Sequence, residues 1–222
     1  MSVVHETLKR LEAAAATTDS VLVAYSGGKD SLVTLDLCRK AFRNVVAFYC
    51  YVVPGLQMIE AQMDYARERW GVKILYYPHF LVTRFFKNGI YCDPSFRYDD
   101  LPEFKDYDVW TTIMRDTGIP LVATGMKEAD GLQRKRVMER SRHRTDVLHP
   151  IGTWRKVDVL AYCAAQKIPL PKTDKRVSSG VDLSSKALTF IHDNHPEDFR
   201  RMEAWFPYIG AAIKRRDWYG IS

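Results

Sequence analysis

No stretch of the chain approaches the roughly 18 consecutive apolar residues that a membrane-spanning helix requires, and the N-terminus has no basic segment leading into an apolar run. A cytoplasmic protein with no membrane partner is therefore expected. Cysteine is scarce, with four in 222 residues. Cys38, Cys50, Cys92 and Cys163 lie far apart, with no Cys-x-x-Cys pair and no Cys/His set of zinc-finger spacing. That pattern argues against a disulfide framework and against zinc. Internal repeats and low-complexity tracts are also missing.

The chain has ordinary globular proportions, 46% hydrophobic and 27% charged residues, which exclude long disorder and fibrous folds. Its length suits one domain, or one domain with an appended piece. Lys and Arg outnumber Asp and Glu by 33 to 27, giving a net charge of +6 that favours anionic partners such as nucleotides or nucleic acids.

Residues 21–25, Val-Leu-Val-Ala-Tyr, form an apolar run ending at a glycine pair, the pattern of a central strand buried on both faces. Leu32, Leu35, Cys38 and Phe42 then recur at helical spacing, which predicts a helix over residues 31–42. The cycle repeats with a strand at residues 45–49 and a helix carrying Ile59, Met63, Ala66 and Trp70, stopped by Gly71. A strand at residues 72–77, a helix near 105–116 with Trp110, Ile113 and Met114 inward, and a strand at 120–124 follow. Later come a strand at 147–151, a helix at 154–166 capped by Thr153, and helical stretches near 184–194 and 197–216. Alternation of strands and helices implies right-handed crossovers. The fold class is α/β, a doubly wound, mainly parallel sheet with a helical C-terminal region. The expected organisation is a nucleotide-binding domain over 1–170, with an aromatic insertion at about 78–104, and a helical extension of the same domain over 171–222.

The chemistry centres on Ser26, Gly27, Gly28, Lys29, Asp30 and Ser31, which follow the first strand and open the first helix. In open parallel sheets, ligands bind beyond the carboxyl ends of the strands. Adjacent glycines let the backbone turn and bring its amides to a phosphate, and the helix adds its positive N-terminal end. Ser26 and Ser31 offer hydroxyls and Lys29 a mobile cation. The spacing fits neither the Walker P-loop nor the dinucleotide fingerprint.

This Ser-Gly-Gly-x-Asp-Ser run resembles the PP-loop signature of the N-type ATP pyrophosphatases, a superfamily that includes GMP synthetase, adenylating tRNA-modifying enzymes, sulfate adenylyltransferase and the phosphoadenosine phosphosulfate (PAPS) reductases. Two later segments resemble the PAPS reductase branch: Ala123-Thr124-Gly125-Met126-Lys127-Glu128-Ala129-Asp130 followed by Arg134, and His149-Pro150-Ile151 with Trp154, Asp158 and Val159. The resemblance covers residues 20–170 and implies an adenine nucleotide alpha hydrolase-like, Rossmann-like fold. It implies ATP with Mg2+ as the ligand, with PAPS as the alternative nucleotide. Catalytic roles fall to Lys29, Asp30 and Arg134. Nucleotide contacts fall to the loop from Ser26 to Ser31 and to Phe48, Tyr49, Gly125, Lys127 and Asp130.

The chain departs from that branch in three ways. The C-terminal Glu-Cys-Gly segment whose cysteine attacks the sulfonyl group has no counterpart after Cys163, and the iron–sulfur cysteine pairs are absent. Lys127 stands where the branch usually has arginine, which forfeits a bidentate grip on phosphate or sulfate. Cysteine-less, CysH-like relatives are familiar from phages, other mobile elements and type IV CRISPR loci. Three readings follow. The first is an enzyme that cleaves ATP between the α and β phosphates, adenylates an acceptor and releases pyrophosphate. The second is a non-catalytic accessory protein that binds nucleotide and a nucleic-acid or protein partner. The third is a PAPS-binding sulfonyl-transfer enzyme using Cys50 or Cys92.

Residues 134–144 hold Arg134, Lys135, Arg136, Arg140, Arg142 and Arg144 against Glu139 alone, a basic strip expected to lie over the nucleotide's phosphates or to bind RNA or DNA, the alternative being a solvated loop. The aromatic insertion either stacks bases or is packed core. No oligomeric state is indicated.

Overall fold

The computed structural model describes residues 2–95, 98–170 and 182–220. Five strands alternate with helices: β1 (Ser20–Ala24), β2 (Asn44–Tyr51), β3 (Lys73–Pro78), β4 (Val122–Thr124) and β5 (Val147–Leu148). They form one sheet in the order β3-β2-β1-β4-β5, and β1 runs parallel to both β2 and β4, as β4 does to β5. Outward steps lead from β1 to β2 and β3, then back across to β4 and β5. With right-handed crossovers, this reversal puts connecting helices on both faces. The doubly wound α/β architecture is the one expected.

Before and between the strands lie α1 (Val3–Ala15), α2 (Lys29–Ala41), α3 (Gln57–Trp70), α4 (Leu81–Lys87), α5 (Asp106–Thr117), α6 (Leu132–Ser141) and α7 (Lys156–Ala165). The chain continues with α8 (Ser185–Asn194), α9 (Pro196–Glu203) and α10 (Gly210–Tyr219). Two compact units emerge. One holds the described part of residues 1–49, 63–76 and 110–171, the other that of 50–62, 77–109 and 172–222.

In the first unit β1 is apolar because it is central: Val21, Leu22 and Val23 are fully buried. Helix α2 is covered all round rather than along one stripe, since α1 and α7 pack on it as well as the sheet. Every residue from Ser31 to Cys38 is buried in consequence. Asp36 is the polar member of that interior. It accepts hydrogen bonds from Trp70 Nε1 (2.9 Å) and Tyr162 Oη (2.7 Å) and pairs with Lys40 at 2.8 Å. These partners hold its carboxyl below the ordinary range against the opposing effect of burial. Trp154, fully buried, donates to Thr7 of α1 at 2.9 Å and so ties the first helix to the segment after β5.

In the second unit the aromatic insertion is packing. Phe86 stacks on the buried Phe206 at 5.2 Å, Phe85 meets that ring edge-on, and Tyr98 lies 5.3 Å from Phe86. Asp198, 2% exposed, accepts from the amides of Gln57 and Met58 at 2.7 and 2.9 Å and so caps the start of α3.

Four expectations are corrected. The helix expected at 154–166 with a Thr153 cap begins at Lys156. Its entrance is closed by Asp158 Oδ2, which accepts from the Arg155 amide at 2.7 Å, while Trp154 is committed to the core. The stretch expected over 197–216 is two helices, separated by residues 204–209. The strip at 134–144 is helical through Ser141, not a loop. Of the three inward side chains expected on α5, Ile113 alone is fully buried; Trp110 and Met114 are half-buried. Among the described residues no helix is long and apolar enough to cross a membrane.

Candidate functional site

Register places the ends of three strands side by side. Ala24 pairs with Phe48 on one flank and with Thr124 on the other, so the segments that follow β1 and β4 leave the same sheet edge together. The β1 segment is the loop Ser26–Ser31, and the β4 segment carries Gly125, Lys127 and Asp130.

Gly27 adopts a positive φ of 75°, a conformation that a side chain disfavours, and this turn lets α2 start immediately. Gly28 is the cap of α2 and supplies no side chain to its first-turn amides, which leaves them for an anion. Ser31 ties the loop together: its hydroxyl donates to the Gly28 carbonyl at 2.9 Å and accepts from the Ser26 amide and hydroxyl at 3.2 and 3.3 Å. Gly125 is required by closeness. A Cβ there would stand 3.0 Å from the backbone of Asp30 and Ser31, so the β4 segment and the loop touch backbone to backbone.

Charge is concentrated at that contact. Lys127 is 1% exposed, its ammonium 2.8 Å from Asp30 Oδ1 and 3.0 Å from Asp130 Oδ1, and Lys29 lies 2.6 Å from Asp30 Oδ2. The Lys127–Asp30 contact is an ion pair without hydrogen-bond alignment, and Asp30 Oδ1 is buried with no aligned donor. A lysine is this deeply buried only when paired. Two ammonium groups facing two carboxylates make the cluster neutral, so charge on a polyphosphate must be met by the amides and by a further cation.

Arg134 is an exposed candidate, in the first turn of α6, which starts right after the turn Glu128–Asp130. Helical spacing sets Arg134 on the same side as Met138 and Ser141, and Met138 is buried. Phe48 and Tyr49, at the end of β2, are buried, and the Phe48 carbonyl accepts from the Tyr25 amide at 2.9 Å.

A further group here, noted in the sequence as part of the His149-Pro150-Ile151 segment, has no role assigned to it there. His149 bridges two elements: its Nδ1 lies 2.8 Å from Thr124 Oγ1 and its Nε2 lies 3.0 Å from Ser141 Oγ. The Ser141 hydroxyl donates to the Met138 carbonyl, so it accepts from Nε2–H, and the Thr124 hydroxyl donates to Nδ1. The imidazole is thereby neutral, and burial lowers its pKa. In the unfolded chain the same group protonates near 6.5. Acidification through that value therefore favours the unfolded chain, which takes up the proton more readily. Thermal stability is expected to fall as pH drops below about 6.5, and to fall less steeply in His149→Gln; equal slopes in melting temperature against pH would refute this role.

The thiols are unsuited to nucleophilic work. Burial pushes Cys50 up to about 12 and raises Cys92 too. Cys38 and Cys163 are buried in the first unit. Among the described residues no group of three or more His, Cys, Asp or Glu is placed to hold a metal.

No curated protein matches the chain. Among solved structures it is similar to the NH3-dependent NAD synthetase from Campylobacter jejuni subsp. jejuni NCTC 11168 in complex with the nitrate ion, at 10% identity and a TM-score of 0.50, covering 99% of this chain and 95% of that one. That likeness concerns the fold. The phosphoadenosine phosphosulfate reductase domain matches residues 20–173 of 222, the span that contains the loop, the Gly125–Asp130 segment and the His149–Trp154 segment; by that match the chain belongs to the phosphoadenosine phosphosulfate reductase family.

Proposed function

We propose that the chain binds ATP at the Ser26–Ser31 loop and cleaves it between the α and β phosphates, passing AMP to an acceptor and releasing pyrophosphate. The observation that carries this reading is the uncapped start of α2 at Gly28, set against the Lys29–Asp30–Lys127–Asp130 cluster. Amides of the first turn hold the β and γ phosphates as the leaving group. Lys29 and Arg134 offset the charge that grows on the leaving oxygen, a role whose removal costs about 100- to 1,000-fold in rate. Adenine lies against the backbone near Phe48 and Tyr49.

Both Asp30 oxygens face ammonium groups, Oδ1 that of Lys127 at 2.8 Å and Oδ2 that of Lys29 at 2.6 Å, so a magnesium ion arriving with ATP would be held chiefly by phosphate and water ligands. When bound, such an ion supplies charge neutralisation between the phosphates. Lys127 holds Asp30 and Asp130 in place beside the loop.

The raised thiols of Cys50 and Cys92 speak against the PAPS reading, in which one of them would attack a sulfonyl group. Incubation with α-labelled ATP and magnesium, with and without nucleic acid, decides between turnover and binding alone. Labelled AMP or an AMP adduct is expected. Intact ATP after binding has been demonstrated would leave the chain an accessory nucleotide-binding protein.

A further inference from the structure

Helix α6 shows an unusual balance for a helix on a sheet edge. From Leu132 to Arg142 it and its cap carry five cations, Arg134, Lys135, Arg136, Arg140 and Arg142, against the single carboxylate of Glu139. None of the five has an acidic partner among the described residues, whereas the next cation, Arg144, is held by Asp146 at 2.7 Å. Like charges one turn apart, as at Arg136 and Arg140, repel and weaken a helix. The helix is nevertheless firmly mounted. Met138 packs where a Cβ on Gly152 would lie, and Ser141 is linked through His149 to Thr124.

Helical spacing divides the cations. Arg136 and Arg140 turn directly away from the buried Met138, while Arg134 and Lys135, four and three residues before it, and Arg142, four after it, lie along its flanks; all five are exposed. We infer that the exposed surface of α6, centred on its outer face at Arg136 and Arg140 and flanked by Lys135 and Arg142, is a docking surface for double-stranded DNA, whose phosphates pair with these four side chains.

The occupant follows from what the face offers. Residues 132–141 contain no aromatic side chain, so the stacking platform on which single strands depend is missing and cations alone must hold the ligand. Leu132 is the one large apolar group on that side, too little to insert into a lipid surface. Gly131 to Arg136 are all exposed, so the first turns stand clear of the sheet. A protruding helix fits the major groove of B-form DNA, about 12 Å wide, and does not fit the deep, narrow groove of A-form RNA.

The inference stands on α6 alone and does not depend on ATP cleavage. The test is fluorescence anisotropy with a labelled DNA duplex of about 20 base pairs, titrated between roughly 50 and 200 mM salt. Lys135→Ala/Arg136→Ala/Arg140→Ala is expected to lose at least tenfold in affinity. Its slope of log affinity against log salt should become shallower by about 2 to 3, near 0.9 for each phosphate no longer neutralised. A control that removes three exposed cations elsewhere in the same unit, Lys9→Ala/Arg39→Ala/Lys73→Ala, should bind like wild type. Calorimetry with ATP on the same samples should show the outer-face variant unchanged, because none of the three side chains has a hydrogen bond or ion pair to the loop. The inference is overturned if wild type does not bind the duplex or binds single-stranded RNA of equal length more tightly. Equal losses in both triple variants, or loss of ATP binding in the outer-face variant, overturn it too.

Discussion

Gly28→Val is expected to abolish ATP binding, a loss of at least 100-fold by calorimetry, while the melting temperature changes little. The backbone at Gly28 is extended, with φ −75° and ψ 159°, a conformation any residue adopts, and a Cβ there meets nothing closer than Ser26 Oγ at 3.5 Å. The folded chain therefore accommodates a side chain, and branched β-carbons tolerate extended backbone well. What valine removes is the open approach to the first-turn amides of α2, because its methyl groups occupy the space a phosphate oxygen needs. Gly125→Val provides the contrast. There the Cβ would lie 3.0 Å from the backbone carbon of Asp30 and the nitrogen of Ser31, neither of which can move without shifting the start of α2. Binding and melting temperature should fall together in that variant. If Gly28→Val binds ATP like wild type, the loop is not the nucleotide site.

The loop was legible in the sequence because everything that builds it is local: an apolar strand, two glycines, and a helix that starts at Lys29. The parallel order of the strands was legible for a similar reason, since alternating periods of two and 3.6 leave few topologies. Helix α6 was not. It buries Met138 alone, so it shows no apolar stripe, and only its run of good helix formers, Leu, Gln, Arg, Lys, Met and Glu, marked it. The first helix was hidden differently: its two buried residues are Leu11 and the polar Thr7, whose burial depends on Trp154, 147 positions away. The same distance problem hid the state of Lys127. In the sequence it is a cation replacing an arginine, and its pairing with Asp30 exists only because β4 lies beside β1.

Lys127→Met tests that pairing and is expected to damage both stability and binding. Methionine keeps the length and apolar stem of the side chain, so the change is chiefly the loss of one buried positive charge. Asp30 and Asp130 are then left with Lys29 as their only ammonium partner in the cluster, and the net charge facing a polyphosphate moves from zero to minus one. Breaking a fully buried pair costs about 3–5 kcal/mol. Asp30 and Asp130 are 25% and 34% exposed, so water screens part of the loss, and a cost on the order of 2 kcal/mol is the better expectation. In a chain of this length that lowers the melting temperature by about 4–8 °C. Adding Asp130→Asn removes one of the stranded carboxylates, so the double variant should regain part of the lost stability, and ATP binding should recover with it if charge rather than shape was at fault. If Asp130→Asn destabilises the Lys127→Met background further, the carboxylate is held by something other than Lys127, and the neutral cluster is not what positions the loop.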